Sequence, residues 1–571
     1  MALALGPREL AGTASTSTTA RPRRRTDRRR ALAWVLLGSL GVASVGAMIR
    51  VDISIPAMVD SWSNAVNFFH RVATVTFPPA GELVHLVALT LGLVICGTLL
   101  AAVLSVPVAY LAAANTTPGP AWRVLGRFIG VLARAVPDVV LAMVGVLMFS
   151  IGALPGIIAI GLHSVGMISK MFADAIEQVD EGPRLALRAA GASRGQEFVV
   201  GVLPQVMPSW VATVLHRNDI NLRGSVILGY VGVVGLGLEM KNAFSALNYS
   251  LGLGIALVMF VLCVAMEVVS SSVRRSMLGR EPARRRPLRR HLRRSRASAD
   301  PSPAATGTAL QALRRPWDRR RVHAVLTGWL AGAVVVGSVL ASDIPWRELT
   351  TFWQYLPATA AQFWPPGFGS YPSALMYAAM AETVVIAVAA TGLSFVCALV
   401  IGSLAARNVA PTRLVRGASR FVLVLVRSIP ELILAVVLII ITGLGVQAGT
   451  IALAFCGVGL LGKLIADSFE EVAAGPEGAV KTTGATRVQV YAAATVPQGS
   501  RALIGHTFYL FDTNIRAATI LGIVGGGGIG YYLLNAGQGS RYDQVTAIVA
   551  MILVTVLVVE GLSMWIRRAL R

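Results

Sequence analysis

Arg134-Ala135-Val136-Pro137-Asp138 returns 293 residues later as Arg427-Ser428-Ile429-Pro430-Glu431. Outward from that pentapeptide the same offset relates Lys170, Asp174 and Glu177 to Lys463, Asp467 and Glu470. It also relates Gly182-Pro183 to Gly475-Pro476, and Gly191-Ala192-Ser193-Arg194 to Gly484-Ala485-Thr486-Arg487. Pro204-Gln205 matches Pro497-Gln498, and Asp219, Asn221 and Arg223 match Asp512, Asn514 and Arg516 without a gap. Glycines, prolines and charges dominate these matches, and such residues do not coincide merely because both copies are apolar. The chain is built from two copies of one module.

Composition sets the class. The 571 residues are 55% hydrophobic and 14% charged, where a soluble protein carries about 25% charged residues; the mean hydropathy is +0.67. Apolar runs cover 31–49, 84–113, 251–270, 324–341, 375–405 and 544–566, each near or above the roughly 20 residues that cross a bilayer as a helix. This describes an all-α polytopic membrane protein. Much of the formal charge of +23 sits in Arg21, Arg23 to Arg25 and Arg28 to Arg30, in the stretch from Arg274 to Arg321, and in Arg567, Arg568 and Arg571. All three groups flank apolar runs, the positive-inside pattern, which puts both termini and the central linker in the cytoplasm. Neither aromatic residues nor a folded domain accompanies them, so nucleic acid is set aside as a partner. Cys96, Cys263, Cys397 and Cys456 lie inside apolar stretches without metal-ligand spacing and read as small buried hydrophobes.

Residues 1–30 read as a disordered basic tail, 31–271 as the first module, 272–320 as a flexible basic linker touching membrane lipids, and 321–571 as the second module. The first module's six spans are expected near 31–49, 84–113, 128–150, 153–171, 207–228 and 251–271. Those of the second are expected near 324–341, 375–405, 421–442, 447–466, 500–521 and 544–566, giving about 12 transmembrane helices. An even count per module satisfies the shared cytoplasmic ends and makes the repeats parallel. The first run has the form of a signal peptide, but a matching run follows Arg319-Arg320-Arg321 in mid-chain, which favours a retained helix. Outside lie the loops Arg50 to Glu82 and Ala341 to Ser373, whose aromatic residues and Pro-Pro pairs suit a helix at the interface.

Two features carry mechanism. Residues 172–206 and 465–499 form amphipathic cytoplasmic loops, broken at Gly182-Pro183 or Gly475-Pro476 and again at Gly191 or Gly484. Such a pair offers two equivalent docking points to a two-fold partner. The fifth span of each module carries Asp219, Asn221 and Arg223, or Asp512, Asn514 and Arg516. Each Asp lies four residues before its Arg, on one helix face. Ionisable groups at membrane depth cost roughly 2.5–3.5 kcal/mol each and normally face a pathway. Arginine suits a passing oxyanion, because its fork matches phosphate-like oxygens; the alternative is a static salt bridge holding the modules together. Arg134 and Arg427, near the cytoplasmic end of the third span, either line the inner exit or snorkel to headgroups. Lys170 and Lys463 read as anchors. The glycine clusters from Gly229 to Gly237 and Gly522 to Gly530 permit close backbone approach or a re-entrant bend at the outer face.

Two motifs are decoys. Gly457 to Lys463 imitates a phosphate loop, but Leu464 stands where magnesium needs Ser or Thr. Gly525, Gly527 and Gly530 have dinucleotide-fingerprint spacing without the strand–helix–strand unit that it requires.

Leu187-Arg188-Ala189-Ala190-Gly191-Ala192-Ser193 with Val202-Leu203-Pro204 resembles the loop of bacterial ABC-importer permeases, as does Val480-Lys481-Thr482-Thr483-Gly484-Ala485-Thr486 with Thr495-Val496-Pro497. The finer pattern is similar to phosphonate-importer permeases: Gly-Ala-Ser-Arg-x-Gln, Leu-Pro-Gln, Asp-x-Asn-x-Arg and the closing glycines from Gly522 to Gly530. The resemblance implies a type I importer permease fold made of two fused modules. It also implies coupling helices, formed around Leu187, Ala190, Gly191, Ala192 and Pro204 and around Val480, Thr483, Gly484, Ala485 and Pro497, that insert into an ATPase. Two ATPase copies, a periplasmic or lipid-anchored binding protein and a bacterial inner-membrane location come with it. ATP and magnesium would be bound by the ATPase, leaving this chain without cofactor, metal or catalytic residues of its own. The loop's opening acid is replaced by Leu185 and Gly478, with Glu181 and Glu477 close by. The implied cargo is phosphonate, phosphite or phosphate. Alternatives are a permease for methionine or a quaternary amine, or a secondary transporter, which has no need of a duplicated ATPase dock.

Overall fold

The computed structural model describes residues 28–53, 62–72, 74–277, 319–443 and 445–569. Most of the basic tail and nearly all of the linker fall outside these, as does Arg571. Everything described is helix joined by short turns.

In the first module, α1 (Arg28–Arg50) and α2 (Trp62–Arg71) precede α3 (Ala80–Ala112), α4 (Pro120–Ala135), α5 (Asp138–Phe149) and α6 (Ala153–Glu177). Then come α7 (Glu181–Ala189), α8 (Leu203–Leu228), α9 (Leu236–Ser245) and α10 (Tyr249–Met277). The second module repeats the order as α11 (Arg319–Ala341), α12 (Glu348–Gln362), α13 (Ser373–Ala405), α14 (Arg413–Ser428), α15 (Glu431–Thr442) and α16 (Val446–Glu470). It closes with α17 (Ala474–Thr482), α18 (Val496–Ile523), α19 (Ile529–Gln538) and α20 (Tyr542–Ala569). Each of the loops expected outside thus holds a helix, α2 or α12.

Among the described residues, seven helices are long and apolar enough to cross a membrane: α3, α6, α8, α10, α13, α16 and α20. The paired helices α4–α5 and α14–α15 raise the number to nine if each pair is one span. The remaining three of the twelve expected are α1 and α11, of 23 residues each, and α18, of 28, which carries Asp512 and Arg516.

The third span departs from the straight helix expected at 128–150 and 421–442. It is bent by 82° between α4 and α5, and by 81° between α14 and α15. The cause is the duplicated proline. Pro137 and Pro430 supply no N–H and force the preceding residue out of helical conformation; Val136 has ψ 122° and Ile429 ψ 120°. The orphaned carbonyl of Val136 accepts from His163 Nδ1 at 3.0 Å, and that of Ile429 from Cys456 Sγ at 3.8 Å. With 12 residues, α5 spans only about 18 Å.

The glycine clusters make close backbone contact. Gly522 lies against Gly530, where a Cβ would come within 2.8 Å of the Gly530 Cα. The chain then turns into α9 or α19, whose first N–H groups are held by Thr90 Oγ1 (from Leu236 N) and Thr383 Oγ1 (from Ile529 N), each at 2.9 Å.

Both leading helices are exchanged. The first module's α1 packs on α13 of the second, burying Ala47 and Val51 against Ala389, with Ser44 Oγ donating to the Val388 carbonyl at 3.4 Å. Reciprocally α11 packs along α3, where Ser342 Oγ lies 3.8 Å from Cys96 Sγ. Small residues at these crossings let the helices approach closely. One hydrophobic core runs through both modules, joining Leu222 and Val226 to Ile515 and Ala518.

Candidate translocation pathway and coupling loops

Each of the duplicated loops, 172–206 and 465–499, is two helical pieces separated by a turn that the sequence encodes residue by residue. Asp180 caps α7, its Oδ1 accepting from Gly182 N at 3.0 Å. The helix stops at Gly191, which takes φ +83°, while Gly191 N and Ala192 N donate back to the carbonyls of Arg188 and Leu187 at 3.0 Å. That is a Schellman stop, open to glycine because it lacks a Cβ. Gly484 repeats the left-handed stop at φ +81°, with its N–H donating to the Lys481 carbonyl at 3.1 Å. Chain growth resumes at once through a capping box: Ser193 N donates to Gln196 Oε1 and Thr486 N to Gln489 Oε1, each at 2.8 Å. The Gly-Ala-Ser/Thr-Arg-x-Gln pattern is therefore a stop signal followed by a start signal.

A π-turn follows, Glu197–Val202 or Tyr491–Thr495, leading into α8 and α18 with Pro204 and Pro497 in the first turn, where a missing N–H leaves nothing unbonded. Gln205 Nε2 donates to the carbonyls of Gly201 at 2.7 Å and Asp180 at 3.2 Å, tying the loop's two ends together. At the turn, Ala190, Gly191, Thr483 and Gly484 are exposed, as are Pro204 and Pro497, whereas Leu187, Ala192, Val480 and Ala485 are half-buried beneath. Leu185 and Val488 stand exposed beside these turns, at 52% and 75%.

The loops are locked by different acids. In the first, Arg188 grips Glu197 through two bonds of 2.9 and 3.0 Å; the Arg188 guanidinium holds this carboxyl below the usual glutamate range. Equivalent positions in the second loop are Lys481 and Val490, and there Glu477, 7% exposed, accepts from Thr495 at 2.6 Å and from Asn408 at 2.9 Å. Glu181 accepts from Asn115 at 3.3 Å.

Within the fifth spans, Asn221 and Asn514 are buried and donate to Thr98 and Thr391 at 2.9 Å. They are committed to packing inside their own modules. Asp219 pairs with Arg223 and Asp512 with Arg516, as the four-residue spacing demands. Beyond that the two copies differ. Arg223 also donates from Nη1 to the Arg427 carbonyl at 2.5 Å and from Nε to the Asp219 carbonyl at 3.5 Å. Arg516 bonds Asp512 through Nη2 at 2.6 Å, but its Nη1 is buried without a partner among the described residues.

Arg134 and Arg427 do not snorkel. Arg134 pairs with Glu560 and Arg427 with Glu267, so each arginine crosses to the other module. Glu267 also lies 3.8 Å from Arg223. Two groups result, Asp219, Arg223, Glu267 and Arg427 on one side and Asp512, Arg516, Glu560 and Arg134 on the other, each with two positive and two negative charges. Sequence reading missed the glutamates. Their signal was present: each is an acid within the sixth span, and they too lie 293 apart.

Paired polar helices at the centre of two helical modules, with a duplicated loop on one side, define the membrane component of a transporter. The chain belongs to the binding-protein-dependent transport system inner membrane components, a family matched at residues 105–278 and again at 398–571. It is 39% identical over 530 residues to the phosphate-import permease protein PhnE of Mycolicibacterium smegmatis, covering 92% of this chain and 93% of that one. The phosphite transport system permease protein PtxC of Stutzerimonas stutzeri is 39% identical over 186 residues, 33% of this chain and 68% of that one. The glycine betaine transport system permease protein OpuAB of Bacillus subtilis is 22% identical over 185 residues, 32% of this chain and 64% of that one.

Proposed function

We propose that this chain is the two-module permease of an ATP-driven importer for phosphate-type oxyanions: phosphate, phosphite or phosphonate. The observation that carries the cargo class is the set of arginines on these spans, Arg134, Arg217, Arg223, Arg427 and Arg516, of which Arg217 has no carboxylate at ion-pairing distance among the described residues. Such cations at membrane depth favour an anionic cargo. The extended likeness to a phosphate-import permease supports the same class, and the weaker likeness to a betaine permease supports the scaffold alone.

Two ATPase copies dock on the exposed turns around Ala190 and Gly191 and around Thr483 and Gly484. A separate binding protein delivers the anion outside, and ATP and magnesium belong to the ATPase. Both termini and the linker face the cytoplasm, following the arginine distribution. Closure of the ATPases pulls the two loops together, and the rigid connection from the capping box through the π-turn passes that movement into α8 and α18. The crossed pairs Arg134–Glu560 and Arg427–Glu267 break and re-form as the modules rock, giving alternating access.

Arg223, with every nitrogen bonded, serves the static role; Arg516 retains a free donor for the pathway. Uptake by proteoliposomes holding the chain, its ATPase and its binding protein tests the cargo. Phosphate, phosphite and an alkylphosphonate should compete for one ATP-dependent uptake, and glycine betaine and methionine should not. Uptake of betaine or methionine in place of the oxyanions would defeat this reading.

A further inference from the structure

The two modules differ at the place where an oxyanion would meet them. Arg217, a half-buried arginine two residues before Asp219, has no carboxylate at ion-pairing distance among the described residues. Its Nε donates to Ser164 Oγ at 3.0 Å, and Ser164 in turn donates to Asn221 Oδ1 at 3.1 Å. That chain fixes the guanidinium through Nε and leaves its terminal amino groups without a hydrogen-bond partner among the described residues. Arg516 and Tyr509 of the second module lie within electrostatic reach, as does Asp138. His163, spent through Nδ1 on the Val136 carbonyl, belongs to the same group. Arg516 brings the buried, unpartnered Nη1 described above.

At the equivalent place across the pseudo-two-fold axis this arrangement is gone. Ser164 corresponds to Gly457 and Arg217 to Leu510, which is 2% exposed and packs in the second module's core. His163 corresponds to Cys456, Tyr509 to His216, and Arg516 to the fully bonded Arg223. The loss of the arginine and the loss of its serine anchor go together.

We propose that the oxyanion is held on one side of the axis, between Arg217 of the first module and Arg516 of the second, with His163 and Tyr509 beside them. Two guanidinium groups brought together with spare donors repel each other until an anion lies between them, and their forks match its oxygens. Asp512, bonded to Arg516 at 2.6 Å, puts one acid on that side, and Asp138 is a second, within electrostatic reach of Arg217. Its Oδ1 accepts from Val139 N at 3.0 Å, and its charge tempers the site so that the anion can leave, as translocation requires. A homodimeric permease could not confine the site to one side of the axis, because its two halves would carry the same residue at position 217.

The assignment presupposes an oxyanion cargo, so the experiment begins with the unaltered chain reconstituted with its ATPase and binding protein, with radiolabelled inorganic phosphate as probe. If that preparation takes up no phosphate but does take up betaine or methionine, the cargo reading fails first, and this inference with it. With phosphate uptake in hand, the double variant Ser164→Gly/Arg217→Leu is compared; it copies a pair that already packs in the second module. Its maximal uptake should fall about ten-fold or more, the scale for removing one partner of a desolvated charge contact, at an unchanged yield of assembled complex. Arg217→Lys, which keeps the charge but loses the fork, should lose part of the uptake, and Arg217→Gln should lose more. Arg217→Gln substitutes for the double variant if the latter fails to assemble. Uptake at the unaltered rate in an assembled variant lacking the Arg217 charge, or equal loss in Arg217→Lys and Arg217→Gln, overturns the assignment.

Discussion

Arg134 of the first module is ion-paired with Glu560 of the second, 426 positions further along the chain. Its counterpart Arg427 is paired with Glu267 in the reverse direction. Each pair ties the bend of one module's broken span to the last span of the other, so the modules are linked where they must move.

Removing one partner strands a charge. Both side chains of the Arg134–Glu560 pair are 17% exposed, so Glu560→Gln should destabilise the inter-module contact by about 2–3 kcal/mol, below the roughly 3–5 kcal/mol of a fully buried pair. The check is thermal unfolding of the purified chain, with Glu267→Gln behaving alike and the exchanged pair Arg134→Glu/Glu560→Arg recovering part of the loss. Unchanged unfolding in both single variants contradicts the linkage.

The helix exchange makes a covalent prediction. Ser342→Cys places a thiol opposite Cys96, at a site where Oγ and Sγ are now 3.8 Å apart. Mild oxidation should then join the halves, so that cutting the linker leaves them as one species on a denaturing gel. Without the substitution they should separate. Separation in both cases would mean that α11 does not lie on α3.

In the first coupling loop, Gly191 stands at φ +83° with nothing within 4 Å of where a Cβ would be. Gly191→Ala therefore meets no clash, and its penalty is the left-handed backbone alone, about 1–2 kcal/mol. Binding of the ATPase, followed by titration, should weaken by roughly ten-fold, whereas Gly191→Asn, tolerant of that conformation, should bind nearly as well as the unaltered chain. Gly191→Val and Gly191→Asn binding equally well would contradict this.

Acid should loosen the first loop. The carboxyl of Glu197 is held below its ordinary value of 4.5, first by the hydrogen bond from Arg188. Because the folded value is the lower one, its stabilising contribution is fully present above the ordinary value and is lost as pH falls through the folded one. A spin label at Ala190 should keep constant mobility from about pH 8 to about pH 5, where glutamates stay ionised, and become mobile only in stronger acid. Loosening near neutral pH would contradict it.

What the sequence disclosed were features that act locally. Proline in Arg-Ala-Val-Pro-Asp, glycine at 191 and 484, and the Ser/Thr-x-x-Gln boxes each set the conformation of their own few residues, and so the coupling loops were legible. So was the Asp–Arg pairing, because a four-residue spacing on a helix dictates the neighbour. Contacts between modules were not legible. When two copies share one pattern, residue identities alone cannot tell whether Arg134 meets its own Glu267 or the distant Glu560, nor on which copy α1 rests. The bend at Pro137 escaped because an apolar stretch was measured only by its length. Arg217 escaped because attention to what repeats hides what does not.

The most direct measurement of the central claim is radiolabelled phosphate uptake into proteoliposomes containing the chain, its ATPase and its binding protein, with ATP sealed on the ATPase side or omitted. Accumulation against the gradient should occur only with ATP, and should vanish when both turns are disabled by Gly191→Val and Gly484→Val. Equal uptake with and without ATP, running only down the gradient, would instead mark a channel or carrier and contradict the assignment.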